Sequence, residues 1–224
     1  MLSPLQEAVA RLVAALPEAQ DFVLAGGAAL ISRGNVARST QDLDFFGLEP
    51  AAVDQLLPAA LRALRTAGFE AEVARSAPGF ARLTVVGLGG RTELDLAADA
   101  RLLTPEVGPL GPTLASEELA VDKVLAVFGR AEPRDFVDLA AMEPVYGLDR
   151  LFALAKEKDH GFDVTVFVDM MARFTRLRPV EFGLDEDGYQ RLCDQVERWR
   201  LRSLDVADRI PDTGLEGPDL GLGL

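Results

Sequence analysis

The sequence predicts an α+β fold: a mixed sheet with helices in the first half, followed by an all-helical second half. Three observations carry this. Short runs of alternating or continuous apolar residues, divided by glycine- and proline-rich turns, occupy residues 22–98. The texture changes after residues 105–112, where no strand is predicted. From residue 116 onward apolar positions recur at helical spacing.

Taken in order, residues 5–16 read as a helix ended by Pro17. FVLAGG (22–27) is a short buried strand that breaks at two glycines, and AALISRG continues it as a helical turn or two. The polar loop NVARST leads into a strand, DLDFFG (42–47). Residues 49–67 form an amphipathic helix with Pro50 suited to its start. FEAEVAR, FARLTVVG and RTELDLAA are three more strands, divided by turn signals at 77–79 and 87–90. Ser116, followed by Glu117, Glu118 and an apolar run, carries a capping signature for a helix over 116–128. Further helices fall at 133–142, 148–159, 162–176 and 187–207. The expected division is an α/β domain at 1–112, a helical domain at 113–209 and an unstructured Gly- and Pro-rich tail at 210–224.

Composition bounds the function. With 49% hydrophobic and 26% charged residues the chain is ordinary for a globular protein, and no apolar run reaches membrane-spanning length. The start, MLSPLQEAVA, lacks a signal peptide's features, and a lone cysteine, Cys193, excludes an internal disulfide. A cytoplasmic location with no membrane partner is expected. A net charge of −13 argues against sequence-independent, charge-driven binding to nucleic acid, while leaving room for a local basic groove. Arginines outnumber lysines 20 to 3, which draws notice to Lys123, Lys156 and Lys158.

The chemistry sits in STQDLDFFG. Residues two apart on a strand share a face, so Asp42 and Asp44 stand side by side. Two such carboxylates repel by about 3 kcal/mol at a separation near 6 Å and an effective dielectric near 20. A divalent cation between them removes that cost, and Mg²⁺ commonly takes one or two carboxylates plus substrate phosphates. The alternative is a pair of acids facing solvent at a strand end. Gly26 and Gly27, after a strand and before a helical segment, would let backbone N–H groups approach a phosphate. Downstream, Asp95 lies between Leu94 and Leu96; with Glu93 it shares one strand face. A third carboxylate there would complete a two-metal site for phosphoryl transfer, with Glu93 or Asp99 as the other choices. His160, Cys193 and Trp199 read as surface or packing residues.

The order of these pieces resembles the nucleotidyltransferases of the DNA polymerase β superfamily, whose signature is hG[GS], [DE]h[DE] and h[DE]h, where h is apolar. Here it is supplied by Ala25-Gly26-Gly27, Asp42-Leu43-Asp44 and Leu94-Asp95-Leu96. The closer likeness is to the AbiEii/AbiGii branch, toxin-type nucleotidyltransferases of abortive-infection and toxin–antitoxin systems. SEELAVDKVLAVFGR (116–130) and PRDFVDLAAM (133–142) resemble that branch's later motifs. The resemblance covers about residues 22–139.

That resemblance implies a polymerase β-like domain with its active site in the cleft against the helical domain. It implies Mg²⁺, with Mn²⁺ as the alternative, held by Asp42, Asp44 and Asp95, and an NTP as co-substrate. Asp95 could also act as general base. Gly26 and Gly27 would cradle phosphates, Lys123 would contact phosphate, and Asp138 matches the branch's late acidic position. Arg134 is a candidate phosphate contact; Arg38 and Thr40 could touch phosphate or order the loop. Asp135, near a helix start, could instead complement the helix dipole. The implied reaction moves an NMP to a hydroxyl of tRNA or protein, with a cognate antitoxin as a further partner. A small-molecule acceptor such as an aminoglycoside, or a non-catalytic protein that binds a nucleotide or partner, are the rival expectations.

Overall fold

The computed structural model describes residues 1–208, so the expected tail at 210–224 lies outside the described residues. Helix α1 (Pro4–Ala14) opens with a capping box in which Ser3 and Gln6 satisfy each other's backbone N–H groups. Gln6 also reaches out: its side-chain amide donates to the Thr40 carbonyl at 3.0 Å. The start of the chain thereby fixes the loop that feeds the central strand.

That loop lies between α2 (Gly26–Ser32), which follows β1 (Val23–Ala25), and β2 (Asp42–Gly47). Pro50 opens α3 (Pro50–Thr66), as its locked φ and missing N–H allow. Strands β3 (Glu70–Ala77), β4 (Phe80–Gly87) and β5 (Gly90–Ala98) follow as two consecutive hairpins. Two three-residue strands, β6 (Glu106–Gly108) and β7 (Gly111–Thr113), then complete a seven-stranded sheet in the order β3-β4-β5-β2-β1-β7-β6.

β6 and β7 depart from the sequence expectation of no strand over 105–112, and the expected boundary at 112 falls inside β7. Thr113 pairs in parallel with Leu24 of β1, so the sheet reaches past that boundary.

β2 is central. It runs antiparallel to β1, with Ala25 opposite Asp44, and parallel to β5, with Asp44 opposite Asp95. Its alternation is clean: Leu43 and Phe45 are buried, while Asp42, Asp44 and Phe46 on the other face are half-buried. Burying each of the two apolar side chains contributes roughly 1.5–3 kcal/mol. That gain locks the register, because a one-residue slip would bury the acids instead.

The remainder is helical: α4 (Ser116–Gly129), α5 (Pro133–Tyr146), α6 (Leu148–Lys158), α7 (Val164–Met171) and α8 (Glu186–Asp208). Helix α4 packs against α2 on one side and α5, α6 and α7 on the other, so it joins sheet and helices. One apolar core runs through both, from Leu43 and Leu94 to Leu119, Phe136 and Phe167.

Two local expectations are corrected. Ser116 does not cap α4: Ala115 holds that position, and the Ser116 hydroxyl donates to Glu106 at 3.1 Å instead. The helix expected over 162–176 stops at Met171 and tightens into a 3₁₀ turn, Ala172–Arg176, followed by another at Pro179–Phe182. The turns bring Phe174 into ring contact with Phe136 and Phe182, at centroid distances of 5.2 and 5.0 Å. No helix among the described residues is long and apolar enough to cross a membrane.

Candidate active site

A cavity of about 430 Å³ opens between β2 and helices α4–α6. Gly26, Gly27, Arg38, Thr40, Asp42, Asp44, Lys123 and Arg134 line it, eight of the residues singled out in the sequence. The glycines are there for space. A Cβ on Gly26 would lie 1.9 Å from an Asp44 carboxylate oxygen, and Gly26 has φ +60° besides. A Cβ on Gly27 would lie 2.7 Å from the Arg38 guanidinium and 3.2 Å from the Thr40 hydroxyl. Bare backbone is therefore what Asp44, Arg38 and Thr40 pack against.

The paired acids are held differently. Thr40 donates to Asp42 at 2.5 Å, and an Arg134 nitrogen lies 3.8 Å from its other oxygen. Burial works against ionisation of Asp42, yet these partners outweigh it and hold the carboxyl below the usual range. Burial, together with the charges of Asp42 and Asp95, pushes the Asp44 carboxyl up to about 7, against the pull of Lys123 and Arg130. Asp44 is the acid with least protein support and the one whose ionisation most needs a cation.

Across the cavity, Asp138 is fully buried and binds two cations at once. Arg38 forks onto both its oxygens at 2.7 and 2.6 Å, and Lys123 Nζ lies 3.0 Å away. One turn earlier on α5, fully buried Asp135 takes a matching fork from Arg130, at 2.9 Å for both bonds. Asp135 also accepts from the Glu132 N–H, the helix-start role considered for it. So α5 presents two carboxylates that brace three cationic side chains of the cavity. Asp138 itself is spent on this bracing and is not among the residues lining the cavity.

Asp95 is opposite Asp44 in register, but its carboxylate is taken. Arg82 of β4 donates to both oxygens at 2.7 and 2.6 Å and also contacts Glu93 at 3.0 Å. Accordingly, no group of three or more His, Cys, Asp or Glu among the described residues is arranged to hold a metal ion. Asp99 lines the same cavity past the end of β5, where it is paired with Lys158 at 3.4 Å. The residues present fit a hard divalent cation held by two carboxylates, Asp42 and Asp44, with the remaining oxygens coming from a phosphate-bearing ligand.

Sequence reasoning missed three features. Arg82 was within reach: the turn at 87–90 sets a hairpin in which Arg82 falls opposite Asp95. Arg130 caps α4 at the end of the 116–130 stretch, where the sequence reading gave it no role of its own. Lys158, buried against Asp122 at 2.6 Å and Glu118 at 3.1 Å, joins residues too far apart for local spacing to reveal.

A mixed sheet whose central strand presents paired acids over a glycine turn, facing a cation-lined helical wall, belongs to a nucleotidyltransferase. Residues 8–204 match the family described as the nucleotidyl transferase AbiEii toxin of a type IV toxin–antitoxin system. The chain belongs to that family, and so to the toxin nucleotidyltransferases. Two solved structures agree on the fold. JHP933 from Helicobacter pylori is similar at 16% identity and a TM-score of 0.53, over 93% of this chain and 97% of that one. A second H. pylori protein, provisionally assigned as a nucleotidyltransferase, aligns at 17% identity and a TM-score of 0.58, over 90% and 94%. MenT4, a nucleotidyltransferase toxin from Mycobacterium tuberculosis, aligns at 17% identity and 0.49, over 91% of each chain. No curated protein matches the sequence at a significant level.

Proposed function

We propose that the protein transfers an NMP from an NTP to a hydroxyl of tRNA or of a protein, in a Mg²⁺-dependent reaction, as the toxin of a pair with a cognate antitoxin. The observation that carries this reading is Asp42 and Asp44 side by side on β2, with the Gly26 backbone pressed against Asp44 and Arg38, Lys123 and Arg134 in the same cavity.

Asp42 and Asp44 would hold the ion, and Asp95 would join them as the third carboxylate once Arg82 releases it. When bound, Mg²⁺ (or Mn²⁺) offsets the charge of the triphosphate and of the leaving group. Backbone N–H groups at Gly26 and Gly27 and the side chains of Arg38, Lys123 and Arg134 bind the phosphates. Asp138 positions Arg38 and Lys123, so their charges arrive already oriented. Thr40 orients Asp42. The acceptor hydroxyl oxygen bonds to the α-phosphorus as that atom's bond to the bridging oxygen breaks. Pyrophosphate leaves with the electron pair, and the hydroxyl proton passes to Asp95 after its release from Arg82.

The test is to incubate the protein with each α-labelled NTP, Mg²⁺, and total tRNA, protein or candidate small molecules such as aminoglycosides, and to follow the label. Label on RNA or protein that vanishes in Asp44→Asn supports the reading. Label on a small molecule instead would select an aminoglycoside-type acceptor. NTP binding with no transfer to anything would select a non-catalytic protein of this fold.

A further inference from the structure

The cavity continues past the paired acids. Side chains two apart on β2 share a face, so Phe46 extends the row begun by Asp42 and Asp44, and all three line the same space. The ends of this row differ in chemistry. At the Asp42 end stand Arg134, 3.8 Å from Asp42, and Thr40 with the neighbouring Arg38. At the Phe46 end the sheet stops: the Asp99 N–H donates to the Gly47 carbonyl at 2.9 Å, placing Asp99 beside Phe46. Lys158 joins Asp99 to Asp122, and from Asp122 the next turn of α4 presents Leu125 and Ala126 to the cavity.

Charge sorts a nucleotide between these ends. A triphosphate carries up to four negative charges and suits the guanidinium end. At the other end Lys158 is outnumbered by Asp99, Asp122 and Glu118, all within 3.4 Å of its ammonium. That end repels phosphate and offers what a nucleoside needs, an aromatic face and hydrogen-bond acceptors. Lys158 is only 3% exposed and is spent on its three carboxylates, whereas the Asp99 side chain is 40% exposed and has acceptor capacity left.

We propose that the Phe46 end of the cavity is the nucleoside subsite, with the base against Phe46 and Leu125 and with ribose hydroxyls or a base amine donating to Asp99. Lys158 acts as a positioning residue that holds Asp99 in place. This rests on the nucleotidyltransferase reading above, and it adds residues that distinguish an NTP from bare triphosphate.

The experiment uses calorimetric titration of the full chain, with Mg²⁺ present, by two probes: α,β-methylene NTPs and inorganic tripolyphosphate. Phe46→Ala is expected to weaken NTP analogues about tenfold, as loss of a base–aromatic contact does. Asp99→Asn should weaken them as well and change the ranking of the four bases. Tripolyphosphate affinity should stay at the wild-type value in both variants. Phe46→Leu keeps the packing of a partly buried position should the alanine variant not fold. Unchanged NTP affinity, or equal weakening of both probes, overturns the subsite. Wild-type protein that binds neither probe overturns the nucleotidyltransferase reading itself, and the subsite with it.

Discussion

Arg82 and Asp95 face each other in register across β4 and β5, and the guanidinium grips both carboxylate oxygens, at 2.7 and 2.6 Å. Asp95 is also the register partner of Asp44. The acid best placed to join the paired carboxylates is therefore tied to a cation of its own sheet. Metal loading and the Arg82 ion pair compete for one side chain.

Arg82→Gln is accordingly expected to tighten Mn²⁺ binding to the nucleotide-free protein, by roughly tenfold, the scale on which groups behind metal ligands act. Titration followed by electron paramagnetic resonance reads this directly. Weaker binding would mean that Arg82 supports Asp95 as a ligand instead of withholding it.

Gly26→Ala tests the close approach beneath Asp44. The added Cβ meets Asp44 at 1.9 Å and sits at φ +60°, so both activity and stability should fall. Gly34→Ala is the control: φ is +76° there, but nothing lies within 4 Å. It should cost about 1 kcal/mol through backbone strain alone and leave NMP transfer intact. Equal activity loss in the two variants would contradict a specific role for Gly26.

Asp138→Ala removes a fully buried acid from between Arg38 and Lys123, whose side chains are 18% and 6% exposed. Two cations left without their shared counter-charge should lower stability by about 3 kcal/mol. A urea melt that moves by less than a third of that would show that Asp138 is not the brace described here.

The Asp44 carboxyl supplies a pH dependence. Its folded value, about 7, exceeds the ordinary aspartate value of 3.8. Ionisation is thus harder in the folded state, and the acid destabilises the metal-free fold as pH rises from about 4 to about 7. Below about pH 3 both states are protonated and the cost is absent. Asp44→Asn should therefore stabilise the metal-free protein at pH 8, by roughly 2 kcal/mol once solvent screening is discounted, and have no effect at about pH 3. Melting temperatures across that range check the sign; destabilisation at pH 8 would contradict it.

Legibility in the sequence followed the range of the interaction. The face shared by Asp42 and Asp44 depends only on strand period, and it was readable. So were the hairpins around residues 77–79 and 87–90 and the helices opened by Pro50 and Pro133. β6 and β7 were not: each has three residues, too few for periodicity, and Pro112 argues against a strand. Ser116 misled because a capping pattern is local, whereas its hydroxyl is claimed by Glu106, ten residues away. The bracing of Arg38 by Asp138 spans 100 residues and follows only from how α5 packs. Motif order pointed to both residues; their contact needed the fold.

The most direct test of the central assignment is transfer of α-labelled NMP by Asp42→Asn and Asp44→Asn, compared with wild type, on an acceptor that the wild-type protein labels. Labelling should drop in each variant by at least ~100-fold, the scale of losing a group that acts in the transition state, while circular dichroism remains that of the wild type. Either variant labelling the acceptor at the wild-type rate would remove these two carboxylates from the chemistry.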